Sequence, residues 1–105
     1  MSKQKIKKSN EFRLIYLKGK KIFGKFIVIY FLPKDQTENR LGIIVKKSIG
    51  NAVFRNKVKR ILREIWWKKA NQYISGCDVI IIARVNIKEA SFNEIESEIR
   101  DLLQR

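Results

Sequence analysis

The sequence has no histidine and a single cysteine, Cys77. Without imidazoles it lacks the commonest general base, and with only one thiol it has no ordinary zinc site. No intramolecular disulfide is possible, which fits a reducing compartment. A lone cysteine in an apolar run reads as a small core residue rather than a reactive thiol. Pro33 is the only proline, so turns must come from Gly, Asn and Asp. The longest apolar runs, 26–32 and 79–83, are far too short to cross a bilayer. Residues 1–8 are basic, but no apolar stretch follows them. No secretory signal is expected, and the expected location is the cytoplasm.

Acids are also scarce. Ten Asp and Glu stand against 24 Lys and Arg, a formal net charge of +14. Such an excess suits a polyanionic partner, because binding phosphates releases condensed counterions. Charge alone does not choose among RNA, DNA and an anionic membrane. The distribution says more. Residues 1–25 hold nine Lys or Arg and one acid, Glu11, and residues 46–69 hold nine more and one acid, Glu64. Residues 89–105 reverse the balance, with five acids against Arg100 and Arg105. The surface should therefore be polarised into a binding and a non-binding side.

The chain of 105 residues, 45% of them hydrophobic, is sized for one domain with a real core. Over 9–19, Ser9 or Asn10 can cap a helix, Glu11 suits its first turn, and Phe12, Ile15 and Tyr16 share a face. Residues 26–32 read as a strand. Its alternation separates Phe26, Val28 and Tyr30 from Ile27, Ile29 and Phe31. After the polar turn 34–39, residues 40–47 read as a second strand, antiparallel to the first. Asn51 should cap a long helix over 52–71. Residues 78–84 read as a buried strand. Ser91 and Glu94 form a capping box ahead of a stripe of Phe92, Ile95, Ile99, Leu102 and Leu103. The order is α-β-β-(β)-α-β-α once a further short strand is allowed over 18–25. It predicts an α+β fold, a two-layer sandwich of helices on a mostly antiparallel sheet.

The long helix divides sharply. With Arg55 at zero and about 100° per residue, Arg55, Asn56, Lys59, Arg60 and Arg63 fall within about 140°. Phe54, Val58, Ile61, Leu62 and Ile65 fall between about 240° and 340°. Ordinary solvated faces mix signs, whereas this one carries like charges at i, i+4 with no acid among them. That pattern points to phosphate. Arginine adds bidentate grip and stacking on unpaired bases, which suits folded RNA. A membrane-surface helix is disfavoured because the apolar face is needed for the core. Phe12, Tyr16 and Tyr30 suggest a second surface, since rings beside lysines suit a single strand. Patterning alone favours core aromatics over a binding surface.

The segment 45–64 runs Val-Lys-Lys-Ser-Ile-Gly-Asn-Ala-Val-Phe-Arg-Asn-Lys-Val-Lys-Arg-Ile-Leu-Arg-Glu. It closely resembles the signature of the protein component of bacterial ribonuclease P. That family has Lys-Lys, Gly-Asn-Ala, and then Arg-Asn-Arg followed by Lys-Arg and Arg-Glu on a helix. Asn10-Glu11-Phe12, Lys18-Gly19-Lys20, the strand at 26–30, and Gly76-Cys77-Asp78 through Ala83-Arg84 extend the resemblance over nearly the whole chain. The resemblance implies an α/β sandwich with a left-handed βαβ crossover. It implies that Lys46, Lys47, Arg55, Asn56, Lys59, Arg60 and Arg63 face a catalytic RNA. It also implies that Phe12, Tyr16, Tyr30 and Lys20 face the single-stranded 5′ leader of precursor tRNA. The implied holoenzyme makes the mature 5′ end, with the RNA subunit holding Mg2+ and doing the chemistry. The chain itself is expected to hold no catalytic residue and no metal. One departure is Lys57, where the family has the second arginine of Arg-Asn-Arg. It keeps the charge without bidentate geometry, and the wheel puts it off the stripe at about 200°.

Three other classes are weaker. A ribosomal-type RNA-binding protein shares the charge and the fold type. A DNA-binding module lacks helix-turn-helix spacing. A stand-alone nuclease lacks paired carboxylates and bases.

Overall fold

The computed structural model describes residues 4–104. Residues 1–3 of the basic N-terminal segment, and residue 105, lie outside the described residues. Eight elements run in order: β1 (Gln4–Lys5), α1 (Ser9–Lys18), β2 (Lys20–Phe23), β3 (Ile27–Pro33), β4 (Arg40–Ile44), α2 (Ala52–Lys68), β5 (Cys77–Ala83) and α3 (Phe92–Leu103). Short 3-10 turns lie at Lys47–Ile49, Ala70–Tyr73 and Val85–Glu89. No helix of the described residues is long and apolar enough to cross a membrane.

The five strands form one sheet in the order β1-β4-β5-β3-β2. β5 occupies the centre because almost every residue in it is apolar and must be covered on both faces. Val79, Ile81 and Ala83 join the cluster under α2 and α3, while Ile80 joins Ile6 and Ile15 under α1. The α+β sandwich is present, with helices on both faces of the sheet. The sheet itself is mixed rather than mostly antiparallel. β1–β4 and β4–β5 are parallel, and β3–β5 and β2–β3 are antiparallel. β4 runs antiparallel to β3 but does not pair with it, because β5 lies between them. β4, α2 and β5 make the βαβ unit.

Buried polar groups fix the register. Asn39 is enclosed, and its amide nitrogen donates to Asn71 Oδ1 and the Ile74 carbonyl, both at 2.8 Å. Its amide oxygen accepts from the Cys77 N–H at 3.0 Å. That clamp ties the start of β4 to the start of β5. Capping follows the sequence in α2 and α3, but not in α1. There Lys8 is the cap residue, and its N–H donates to Glu11 Oε1 at 3.3 Å. On α3, Ile95, Ile99 and Leu102 are buried, while Phe92 stays partly exposed.

Candidate nucleic-acid interface

The N-terminus of α2 is built for rigidity. The Phe54 N–H donates to Asn51 Oδ1 at 2.8 Å, as expected of a capping asparagine. Arg55 Nε donates to the Gly50 carbonyl at 3.1 Å, so this guanidinium is partly committed within the chain. Lys46 and Lys47 stand exposed just before the helix, at its positive end. Farther along, Asn56, Arg60 and Arg63 are exposed and Lys59 is half-buried. Val58, Leu62 and Ile65 are buried beneath them, and so is Trp66, which lies outside the predicted apolar arc. Among the described residues, none of Lys46, Lys47, Arg55, Lys59, Arg60 and Arg63 makes an ion pair; Glu64 engages Lys68 instead.

A groove of about 710 Å³ runs over the β1–β4 edge. Lys59, Arg60, Arg63 and Trp67 line one side, and Phe12 lines the other. Because α1 and α2 cover opposite faces of the sheet, the groove turns round this edge. Gly42 lets the Phe12 ring seat directly on β4, since a Cβ there would stand 2.7 Å from that ring. The cationic and aromatic surfaces, separate in the sequence, thus meet at Phe12.

Beyond Phe12, Tyr16 packs edge-on against Tyr30, with ring centroids 4.9 Å apart at 76°. Phe12 and Tyr30 are half-buried against the Ile15–Ile80 cluster, and Tyr16 remains 37% exposed. These rings are seated on the core while keeping open edges. Burial, and then proximity to Tyr30, raise the Tyr16 pKa, so its phenol stays protonated at neutral pH. Lys20 pairs in register with Phe31, which packs toward α2 and α3, so Lys20 projects to the face away from Tyr30. Lys21 is the lysine opposite Tyr30, with its ammonium 5.3 Å from that ring's centroid. Sequence reasoning missed Lys21, because the pairing register that selects it is not a local property.

Beneath α1 lies a second charge cluster. The Asp78 carboxylate is wholly buried. Arg40 grips it through Nε at 2.8 Å and Nη2 at 2.6 Å, Lys34 approaches to 2.7 Å, and Gln36 donates at 3.1 Å. Desolvation pushes the Asp78 pKa up. The hydrogen bonds from Arg40, Lys34 and Gln36 outweigh it and hold the value at about 2. Arg40 also reaches Glu11 at 2.8 Å, and that bond is the main cause of the lowered Glu11 pKa. The network therefore orients the first turn of α1, the turn that carries Phe12. Among the described residues, no group of three or more His, Cys, Asp or Glu is placed to hold a metal ion. Glu11 and Asp78 are both engaged by Arg40, and this donor set does not fit a protein-held magnesium site.

Comparison with known proteins agrees with this architecture. The family model described as Ribonuclease P matches residues 1–105. The ribonuclease P protein component of Alkaliphilus metalliredigens is 36% identical over 104 residues, covering 99% of this chain and 94% of that one. The RNase P protein of Staphylococcus aureus superposes with a TM-score of 0.87 at 36% identity, covering 98% of this chain and 94% of that one. The Thermotoga maritima RNase P protein gives a TM-score of 0.88 at 30% identity, covering 98% and 97%. On its full-length match to the family model and its close relatives in sequence and fold, the chain belongs to the ribonuclease P protein family.

Proposed function

We propose that this chain is the protein subunit of a cytoplasmic ribonuclease P that removes the 5′ leader from precursor tRNA. It binds the catalytic RNA along α2 and the single-stranded leader along the aromatic face. One observation carries this reading: Lys59, Arg60 and Arg63, without ion pairs among the described residues, share a groove with Phe12, and one helical turn beyond Phe12 the Tyr16 ring packs on Tyr30 beside Lys21. Lys46, Lys47, Arg60 and Arg63 supply phosphate contacts, with Arg55, Asn56 and Lys59 beside them. The rings offer π-faces and edges to unpaired bases, and this kind of contact is tolerant of sequence.

Hydrolysis of the phosphodiester is assigned to the RNA subunit and its magnesium ions, leaving a 5′-phosphate on the mature tRNA. The protein's part is physical. Its cations offset repulsion between two polyanions, and its leader track holds the substrate in register with the scissile bond. The test is cleavage of precursor tRNA by a bacterial ribonuclease P RNA at low magnesium, with and without the protein. Stimulation is expected. An RNA that cleaves no faster with the protein present would sink the proposal.

A further inference from the structure

Phe23 ends β2, the edge strand of the sheet, and 60% of it is exposed. Singly exposed apolar side chains are ordinary, Leu17 and Val53 being more exposed still, but Phe23 also shares a cation with a ring of the aromatic face. Residues 21 and 23 project to the same face, since side chains alternate along a strand. Lys21 is paired with Tyr30, so Phe23 shares the Tyr30 face. A single ammonium group links the two rings: Lys21 Nζ lies 4.4 Å from the Phe23 centroid and 5.3 Å from the Tyr30 centroid.

The turn that follows Phe23 is held from three directions. The Gly24 N–H donates to the Ile27 carbonyl at 2.9 Å, and Arg84 Nη1 donates to the Gly24 carbonyl at 2.8 Å. Glu98 accepts from the N–H groups of Phe26 and Ile27 at 2.9 and 3.1 Å. Its carboxylate lies against Gly24, leaving no room there for a Cβ. The ring of Phe23 is therefore offered to solvent on a braced hairpin. A preordered aromatic loses little freedom when it binds.

We infer that Phe23 is a further base-stacking position for the leader, one step beyond Tyr30. Lys21 holds the phosphate between the bases on those two rings. In the free chain the ammonium covers both rings. On binding it moves to the phosphate, and the Phe23 face is released to a base. A single strand fits better than a duplex here, because stacking on a side chain requires an unpaired base. The leader track then runs from Phe12 through Tyr16 and Tyr30 to Phe23.

The inference rests on the proposed leader-binding role, and one experiment separates the two. Precursor tRNAs with leaders shortened one nucleotide at a time are titrated against holoenzyme carrying wild-type protein, F23A, F23W or K21Q. Wild-type affinity should rise in steps with leader length. F23A should lose only the outermost step, by roughly fivefold or more, and bind shorter leaders normally. F23W should restore that step. K21Q should lower the salt dependence for long leaders by about one phosphate contact.

An F23A holoenzyme that keeps every step overturns the Phe23 assignment alone. So does a loss that is equal for long-leader, short-leader and mature tRNA. A defect of F23A in assembling with the catalytic RNA would give the ring to that partner and overturn the assignment equally. If wild-type affinity does not depend on leader length, the parent reading fails instead. The high exposure of Phe23 makes loss of folding an unsuitable explanation, and thermal melting of each variant checks this.

Discussion

Around Asp78, Arg40, Lys34 and Gln36 converge on a carboxylate with no access to solvent, and Arg40 spans on to Glu11. Along α2, by contrast, Arg55, Lys59 and Arg63 follow one another at intervals of four residues with no acid between them. The first cluster has its counter-charges inside the fold, so its energy is spent on holding β4, β5 and α1 together. The second has none among the described residues, so each like-charged pair costs a few tenths of a kcal/mol, which the anions of the proposed RNA partner would offset. Charge that folding satisfies is architecture. Charge that folding leaves unsatisfied, at some cost, is what the proposed RNA interface would use.

The comparison is tested hardest at Asp78. Replacing it with Asn leaves Arg40 and Lys34 facing a neutral group, and stability should fall by about 3–5 kcal/mol in chemical denaturation. The pH dependence follows from the same group. Its folded pKa of about 2 lies below the ordinary 3.8, so it stabilises the fold fully above about pH 4. That contribution, on the order of 2 kcal/mol, should be lost as pH falls from about 4 to 2. Asp78→Asn should flatten this acid limb. An unchanged limb would mean that the cluster is not the buried structural element described here.

Tyr30→Ala should weaken binding of leader-bearing precursor by about 1–3 kcal/mol while sparing mature tRNA. Gly42→Ala should produce a smaller defect of the same selectivity, because its methyl group pushes the Phe12 ring off its seat. Equal losses for precursor and mature tRNA would return these rings to the core. The smallest effect on stability is expected on α2. Arg63→Ala should leave the melting temperature unchanged or slightly raised, while catalytic-RNA binding weakens and its salt slope falls by about one. A clear loss of stability there would break the contrast between the two clusters.

Local chemistry was legible in the sequence. Asn51 announced the start of α2, and Ser91 with Glu94 announced α3, because capping depends on residues three apart. The helical wheel separated Arg60 and Arg63 from Val58 and Leu62 for the same reason. Sequence patterning did not show that β5 parts β3 from β4, since alternation reports the faces of a strand and not its neighbours. It also hid the pairing of Arg40 with Asp78, the seat that Gly42 gives Phe12, and the choice of Lys21 over Lys20 beside Tyr30. Each of these depends on register between segments distant in the chain. Lys8 as the cap of α1 had no signal, because lysine is not a capping residue by type.

The central place of β5 has a consequence for how the molecule is made. As the chain emerges from its N-terminus, β2–β3 and β1–β4 can form before residue 77 exists, but no ladder joins them. Each half then presents an open edge and an uncovered apolar face. The two are united only when β5 inserts between them. Such a late step depends on contacts distant in sequence, which slows folding, and it leaves strand edges free to pair with the wrong chain. The nascent protein is therefore most prone to aggregate in the interval between synthesis of β4 and arrival of β5.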